Sequence, residues 1–306
     1  MTRSTVAADE VITSAPRQGS SERQDRLRAR HSMPVSALLL VLAAAVIHAT
    51  WNLLLSGAKD THSATAVAVF VGVIVFAPVA ALTWRLEHGA VPFILASSAL
   101  EMLYLVLLAS GYARAAMSFV YPVARGSAPV LVLAISVLAF GAGFSAIAVA
   151  GVVLTAAGVV LVRGLRTAGQ LGDLLLAIAV GACIAGYTLV DKHGIAHASP
   201  AAYLELVFAA TAGAYLLGVW HARGRRALQA AIGSRTLIAG AGFFGAYLLV
   251  LAALKLAPAA SVAAVRESSV VLATAWLALT RRERVTKERL VGACSVVAGV
   301  ALISLG

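Results

Sequence analysis

Charge is what this chain has least of. Asp, Glu, Lys and Arg make up 12% of the 306 residues, and only 13 of them are acidic. Soluble domains carry about 25% charged residues. With 61% of residues hydrophobic, the composition excludes an ordinary soluble fold and places the chain among multi-pass membrane proteins. Cysteine is nearly missing as well. Cys183 and Cys294 lie inside apolar runs, with no CxxC pair and no Cys/His cluster, so neither a metal centre nor a redox site is expected. There is no Walker A loop, no HExxH and no GxSxG, which leaves an ATPase motor and a hydrolase without support. No cofactor is expected. The net charge of +11 sits mostly between apolar runs and in the N-terminal tail. It reads as membrane-orienting charge and not as a nucleic-acid surface.

What is abundant is apolar sequence in lengths that cross a bilayer. A spanning helix needs roughly 20 apolar residues. Ten candidate runs occur, at 34–56, 63–84, 91–112, 116–140, 144–163, 172–191, 200–220, 236–256, 259–280 and 289–305. Residues 1–32 are polar and aperiodic and read as a disordered tail. Met33 stands directly before the first run. Translation starting there would leave the tail out, and the mass of the native N-terminus decides the point.

The ten runs fall into two sets of five. A shift of 136 places Leu38-Leu39-Leu40 on Leu174-Leu175-Leu176, Trp51 on Tyr187, Ser63 on Ser199 and Trp84 on Trp220. A shift of 143 places Tyr104 on Tyr247, and one of 141 places Arg125 on Arg266, Gly151 on Gly292 and Gly158 on Gly299. Five spans per unit is an odd number, so the second unit enters the membrane in the opposite sense. The expected fold is all-α, with ten transmembrane helices as two inverted five-helix repeats. A polar site near the midplane is a transporter feature in such architectures.

The polar residues inside the runs are the candidate site. An arginine at a helix centre costs about 2.5–3.5 kcal/mol even on the lenient insertion scale, and marks a polar interior by default. Arg125 and Arg266 do this at matching places. Forked guanidinium donors suit a carboxylate or phosphate. His48, Trp51 and Asn52 share a helix face at i, i+3 and i+4, and Glu101 shares one with Tyr104. Tyr121 lies one turn before Arg125, with Pro122 and Pro129 framing a possible kink. Tyr187 and Tyr247 are the repeat mates of Trp51 and Tyr104, suited to holding a planar or apolar group. Glu101, Glu205 and Glu267 are the candidates for proton coupling, because a carboxylate in apolar surroundings titrates readily against a charged neighbour. Arg266 and Glu267 are adjacent, about 100° apart on a helix, so one faces a cavity and the other a neighbouring helix. For each of these residues, packing or interhelical hydrogen bonding is the competing role. Asp191, Lys192 and His193, at a run end, read as interfacial, and Lys255 as snorkelling.

HATWN (48–52), YPVARGSAP (121–129), VRESSV (265–270) and the closing RRERVTKERLVGA–AGV stretch with Glu283 together resemble the EamA-type branch of the drug/metabolite transporter superfamily. The resemblance covers nearly all of 34–305. It departs at Gly141-Ala142, where the first repeat should carry an acid like Glu283. It implies an EamA repeat at 33–164, a second at 165–306, and secondary transport, often export, of a small metabolite. The partners implied are that solute, the lipid of a bacterial inner (plasma) membrane and protons. Counting Lys and Arg in short loops puts both termini outside; the six arginines of the tail, with the usual family arrangement, put them inside. The rival functions are an intramembrane enzyme, for which no nucleophile–base set exists, and a non-transporting sensor or assembly subunit.

Overall fold

The computed structural model describes residues 33–56, 58–114, 117–141, 145–163, 171–279 and 287–305. Among them the chain is helical throughout, apart from one isolated two-residue bridge. The helices are α1 (Val35–Ser56), α2 (Thr61–Leu82), α3 (Val91–Arg114), α4 (Met117–Phe140), α5 (Ala146–Arg163), α6 (Leu171–Gly194), α7 (Pro200–Ala231), α8 (Ser234–Leu256), α9 (Ala259–Arg266), α10 (Ser268–Leu279) and α11 (Lys287–Leu305). Six described stretches are long and apolar enough to cross a membrane: α1, α2, α6, α7, α8 and the one from His88 into α3. Shorter apolar stretches occupy α4, α5 and α11. Large apolar side chains such as Leu39, Leu82, Leu138 and Leu279 point outward, as they do where the solvent is lipid.

Local chemistry fixes the helix ends. Asp60 caps α2 by accepting from the Ser63 backbone N–H and from its hydroxyl at 2.6 Å, satisfying a donor the first turn leaves free. Ser199 caps α7 from the residue before Pro200, where a missing N–H costs nothing. At the other end, Gly224 adopts φ 79° and ψ 165°, a non-helical conformation that divides α7 into two helices about one turn beyond the expected residue 220. The prolines of α4 do not divide it; Met117–Phe140 is one helix. The ninth run, expected as one span, is interrupted. Glu267 donates its N–H to Ala264 at 3.1 Å, and Val270 donates to Glu267 at 3.0 Å. These tighter i→i+3 bonds mark the break between α9 and α10.

Packing places α1 against α8, α3 against α6, α2 against both α7 and α8, α4 against α5 and α6, and α5 along α11. Small residues permit the last contact. A Cβ at Gly151 would lie 2.8 Å from the Gly299 carbonyl oxygen, and one at Gly299 would lie 2.7 Å from that of Gly151. Backbones that close gain packing where no hydrophobic force acts between helices.

The two ends of the bundle differ. At one face the α2–α3 and α6–α7 links are joined: Glu87 N–H donates to His197 at 2.9 Å, and Ser199 N–H to Arg85 at 2.8 Å. Lys192 and Lys255 brace this face. Lys192 Nζ donates to the carbonyls of Leu254 and Ala257 at the end of α8, and Lys255 Nζ to that of Ala198 at 2.9 Å. Both lysines therefore cap neighbouring chain ends. At the opposite face a cavity of about 440 Å³ is lined by residues of both the α1–α2 and the α7–α8 link, Ala58 and Ile232 among them. Arg223 and Asp60 pair beside it at 3.0 Å.

Candidate functional site

The intramembrane charges gather in one place. Arg125, on α4, is 3% exposed, Arg266 at the end of α9 is 4%, and Glu267 is fully buried. Arg125 Nη1 donates to Glu267 Oε1 at 3.2 Å. Its Nη2 meets His48 Nε2 on α1. Acting as acceptor at Nε2, the imidazole is neutral and carries its hydrogen on Nδ1. Glu267 thus turns toward a neighbouring helix, while Arg266 faces a small cavity. Breaking a buried pair of this kind leaves an uncompensated charge, which is costly.

The cavity holds about 20 Å³, room for roughly one water. Its walls are His48 from α1, Glu101 and Tyr104 from α3, Arg125 from α4, Tyr187 from α6, Phe243 and Tyr247 from α8, and Arg266. Two donors of Arg266, Nε and Nη2, are buried without a hydrogen-bond partner, as are Glu101 Oε1, Ser268 Oγ and Ser269 Oγ. Buried polar atoms are seldom left this way. Arg266 occupies the last turn of α9, where the helix dipole favours a cation.

Tyr104 and Phe243 also border a larger cavity of about 220 Å³, lined by Trp51, Asn52, Leu55, Thr61, Val69 and Leu108. It extends toward the α1–α2 link, through Leu55 and Thr61. Aromatic rings continue from one cavity to the other. Tyr187 lies 6.0 Å from Tyr104 and 5.9 Å from Tyr247, and Trp51 lies 5.3 Å from Phe243 and 4.8 Å from His48. Edge-to-face pairs at such spacings contribute beyond their buried area. An anionic head at Arg266 would have an apolar and aromatic chamber beside it.

Of the residues singled out in the sequence, seven line the small cavity: His48, Glu101, Tyr104, Arg125, Tyr187, Tyr247 and Arg266. Trp51 and Asn52 line the larger one, with Tyr104 shared. Asn52 Nδ2 donates to the His48 carbonyl of its own helix at 2.9 Å. Glu205, on α7, is half-buried and lines neither cavity. The Tyr121 side chain lies outside the described residues, as do Glu283 and the tail. One sequence reading is corrected. Asp191 is not interfacial: it is 1% exposed and accepts from Ser97 Oγ at 2.6 Å, from Tyr203 OH at 3.0 Å and from Tyr247 OH. Its three donors come from α3, α7 and α8, which no pattern within α6 could reveal. Phe243 was missed because it sits in a uniformly apolar stretch.

A solved structure, titled only as the crystal structure of a protein, superposes with a TM-score of 0.73 at 18% identity, covering 89% of this chain and 97% of that one. At that identity the likeness is one of fold. No curated protein gives a significant match. Residues 171–305, from α6 to α11, match the EamA-like transporter family, and with the long apolar helices this marks a multi-pass membrane protein that carries an EamA-like domain in its second half.

Proposed function

We propose that the protein is a secondary active transporter that exports a small anionic or zwitterionic metabolite, such as an amino acid, across the bacterial inner membrane. The observation that carries this reading is Arg266: a cation 4% exposed, with two donors unused, facing a cavity built by six helices. An arginine in apolar surroundings needs an anion, and a solute carboxylate completes its fork. Arg125 contributes field and position, since Glu267 and His48 already engage it. The adjoining aromatic chamber accommodates the rest of the solute.

In this reading the chain has ten membrane spans, with α9 and α10 forming the ninth, in two inverted repeats. The packing supports that. Exchanging α1 with α6, α2 with α7, α3 with α8, α4 with α9–α10 and α5 with α11 maps the main helix contacts onto themselves: α1–α8 becomes α6–α3, α2–α8 becomes α7–α3, and α4–α6 becomes the contact of α9–α10 with α1. The two link pairs at opposite faces are related by the same exchange. One pair is joined by backbone hydrogen bonds and the other borders a cavity, an asymmetry that supports alternating access. Rocking the units would exchange the roles of the two faces. The transporter family of the second half favours this over an intramembrane enzyme.

Reconstituted protein should take up or release radiolabelled members of an amino-acid and carboxylate panel. Arg266→Ala should abolish that flux while leaving membrane insertion intact. Unchanged flux in Arg266→Ala would remove the site from the transport path.

A further inference from the structure

The two ends of the bundle carry different charge. Residues 58–61 and 221–235, around the α1–α2 and α7–α8 links, hold Lys59, Arg223, Arg225, Arg226 and Arg235 against one acid, Asp60. Residues 83–90, 191–199 and 255–258, at the other end, hold Arg85, Lys192 and Lys255 against Glu87 and Asp191. With His neutral, the formal charges are +4 and +1. The use of those charges differs as well. Lys192 and Lys255 donate to backbone carbonyls within the protein. At the more basic end Asp60 engages Arg223 at 3.0 Å. Lys59, Arg225, Arg226 and Arg235 are exposed there and form no ion pair among the described residues.

Apolar neighbours fix the depth of these cations. Leu217 and Trp220, in the last turns of α7 before Gly224, are each half exposed. Tryptophan collects at the headgroup level of a bilayer. The repeat counterpart of Trp220, Trp84, is half exposed at the other end of the bundle. Gly224 comes about one turn after Trp220 and breaks the helix. The segment Arg225–Ala231 then lies back against the bundle. Its Leu228 packs on the cluster that holds Tyr215 and Val219, and Ala227, Ala230 and Ala231 line the 440 Å³ cavity. Arg225 and Arg226 remain on the outside. Ile232, 61% exposed, follows the segment, and Ile238 resumes the outward apolar surface of α8. Cations set between exposed apolar side chains at headgroup depth are the pattern of a segment lying in an anionic interface.

We propose that this basic rim binds anionic phospholipid headgroups of the cytoplasmic leaflet, so that the end of the bundle carrying the 440 Å³ cavity faces the cytoplasm. Lys59, Arg225, Arg226 and Arg235 place their charges at the level of the lipid phosphates, and each guanidinium can take two phosphate oxygens at once. Short links rich in Lys and Arg stay on the cytoplasmic side, so lipid binding and orientation share one cause. Helix α1 runs toward this rim, which puts Val35 on the opposite side of the membrane. The six arginines of the tail pull the other way, and the sidedness test below decides between them. An exporter loads its solute from the leaflet that the rim contacts. That consequence rests on the transporter reading; the lipid surface does not.

Fluorescent phosphatidylglycerol, titrated into the purified full-length protein in detergent, should bind more tightly than the same probe with a phosphatidylcholine headgroup. High salt should remove the difference. Replacing Arg225, Arg226 and Arg235 together by Gln should weaken phosphatidylglycerol binding by about fivefold for each charge removed and leave phosphatidylcholine binding unchanged. Replacing the six tail arginines by Gln should change neither. Circular dichroism checks each fold, and if the triple variant misfolds, single Arg225→Gln and Arg226→Gln variants carry the same test. Gln229→Cys, in a Cys294→Ser background, should react with a membrane-impermeant maleimide only after the cells are permeabilised. Equal binding of the two probes by the wild type, or a preference that survives the Gln variants, would overturn the lipid surface. Labelling of Gln229→Cys in intact cells would overturn the cytoplasmic assignment. Absence of flux in liposomes while the probes behave as stated would reject the transporter reading and leave the lipid surface standing.

Discussion

A shift of 141 places Arg125 on Arg266 in the sequence, yet replacing each by Met should have unequal effects on stability. In Arg125→Met, Glu267 loses the partner of Oε1, and its Oε2 already has none. A fully buried carboxylate left unpaired costs about 3–5 kcal/mol. In Arg266→Met the group removed carries two buried donors without partners, each a burden of about 1–3 kcal/mol. Its loss also deprives Glu101 and Asp191 of a nearby cation, which offsets part of that relief. The net change at Arg266 is near zero, and the gap between the two variants is about 3 kcal/mol or more. At about 2 °C per kcal/mol for a chain of this size, Arg125→Met should melt about 6 °C below Arg266→Met. Thermal unfolding in detergent, followed by size-exclusion chromatography, reads this directly. A double variant, Arg125→Met with Glu267→Leu, should recover most of the loss, because the pair is replaced as a unit. Equal melting of the two single variants, or a less stable Arg266→Met, would refute the assignment of one arginine to a structural pair and the other to an open fork.

Arg266→Lys should restore only part of the flux lost in Arg266→Ala, because an ammonium lacks the planar fork; full rescue would point to a need for charge alone. Gly299→Val should lower stability by at least about 1–3 kcal/mol, since its Cβ would meet the Gly151 carbonyl oxygen at 2.7 Å, and unfolding in detergent measures it. Asp60 caps α2 outside the membrane spans. Partial burial raises its pKa, but the hydrogen bonds from Ser63, the Arg223 charge and the His62 backbone together hold it below the usual value. A depressed folded-state pKa contributes stability above the unfolded value of about 3.9, lost as pH falls through the folded value. Asp60→Asn should flatten that acid limb of the stability profile, and an unchanged limb would assign it to other carboxylates.

Much of this protein was legible before any coordinates. Bilayer-length apolar runs fold as helices where every backbone group must be satisfied within its own segment, so the helical character and the approximate placement of most described helices followed from hydropathy. The arginines announced a polar interior because a guanidinium facing lipid is too costly to keep. The internal shifts brought Tyr104 and Tyr247, and Arg125 and Arg266, into one discussion, and all four line one cavity. The break at Glu267 carried no such signal, since neither Gly nor Pro stands there and a tighter turn needs neither. The seventh run's expected end at 220 lies about one turn before Gly224, whose φ of 79° breaks the helix; the short helix that follows it was not legible, because it is too polar to read as a span.

The sequence by itself determined that the chain is helical, membrane-embedded and carries charge inside its apolar runs, because hydrophobic transfer energies act on each residue wherever it stands. Only the tertiary structure decided which charge meets which. It joined Arg125 to Glu267, left Arg266 with open donors, and drew Asp191 inward to three hydroxyls from three other helices. Pairing depends on distances of a few ångströms between segments far apart in the chain, and electrostatic energy falls off over that same range.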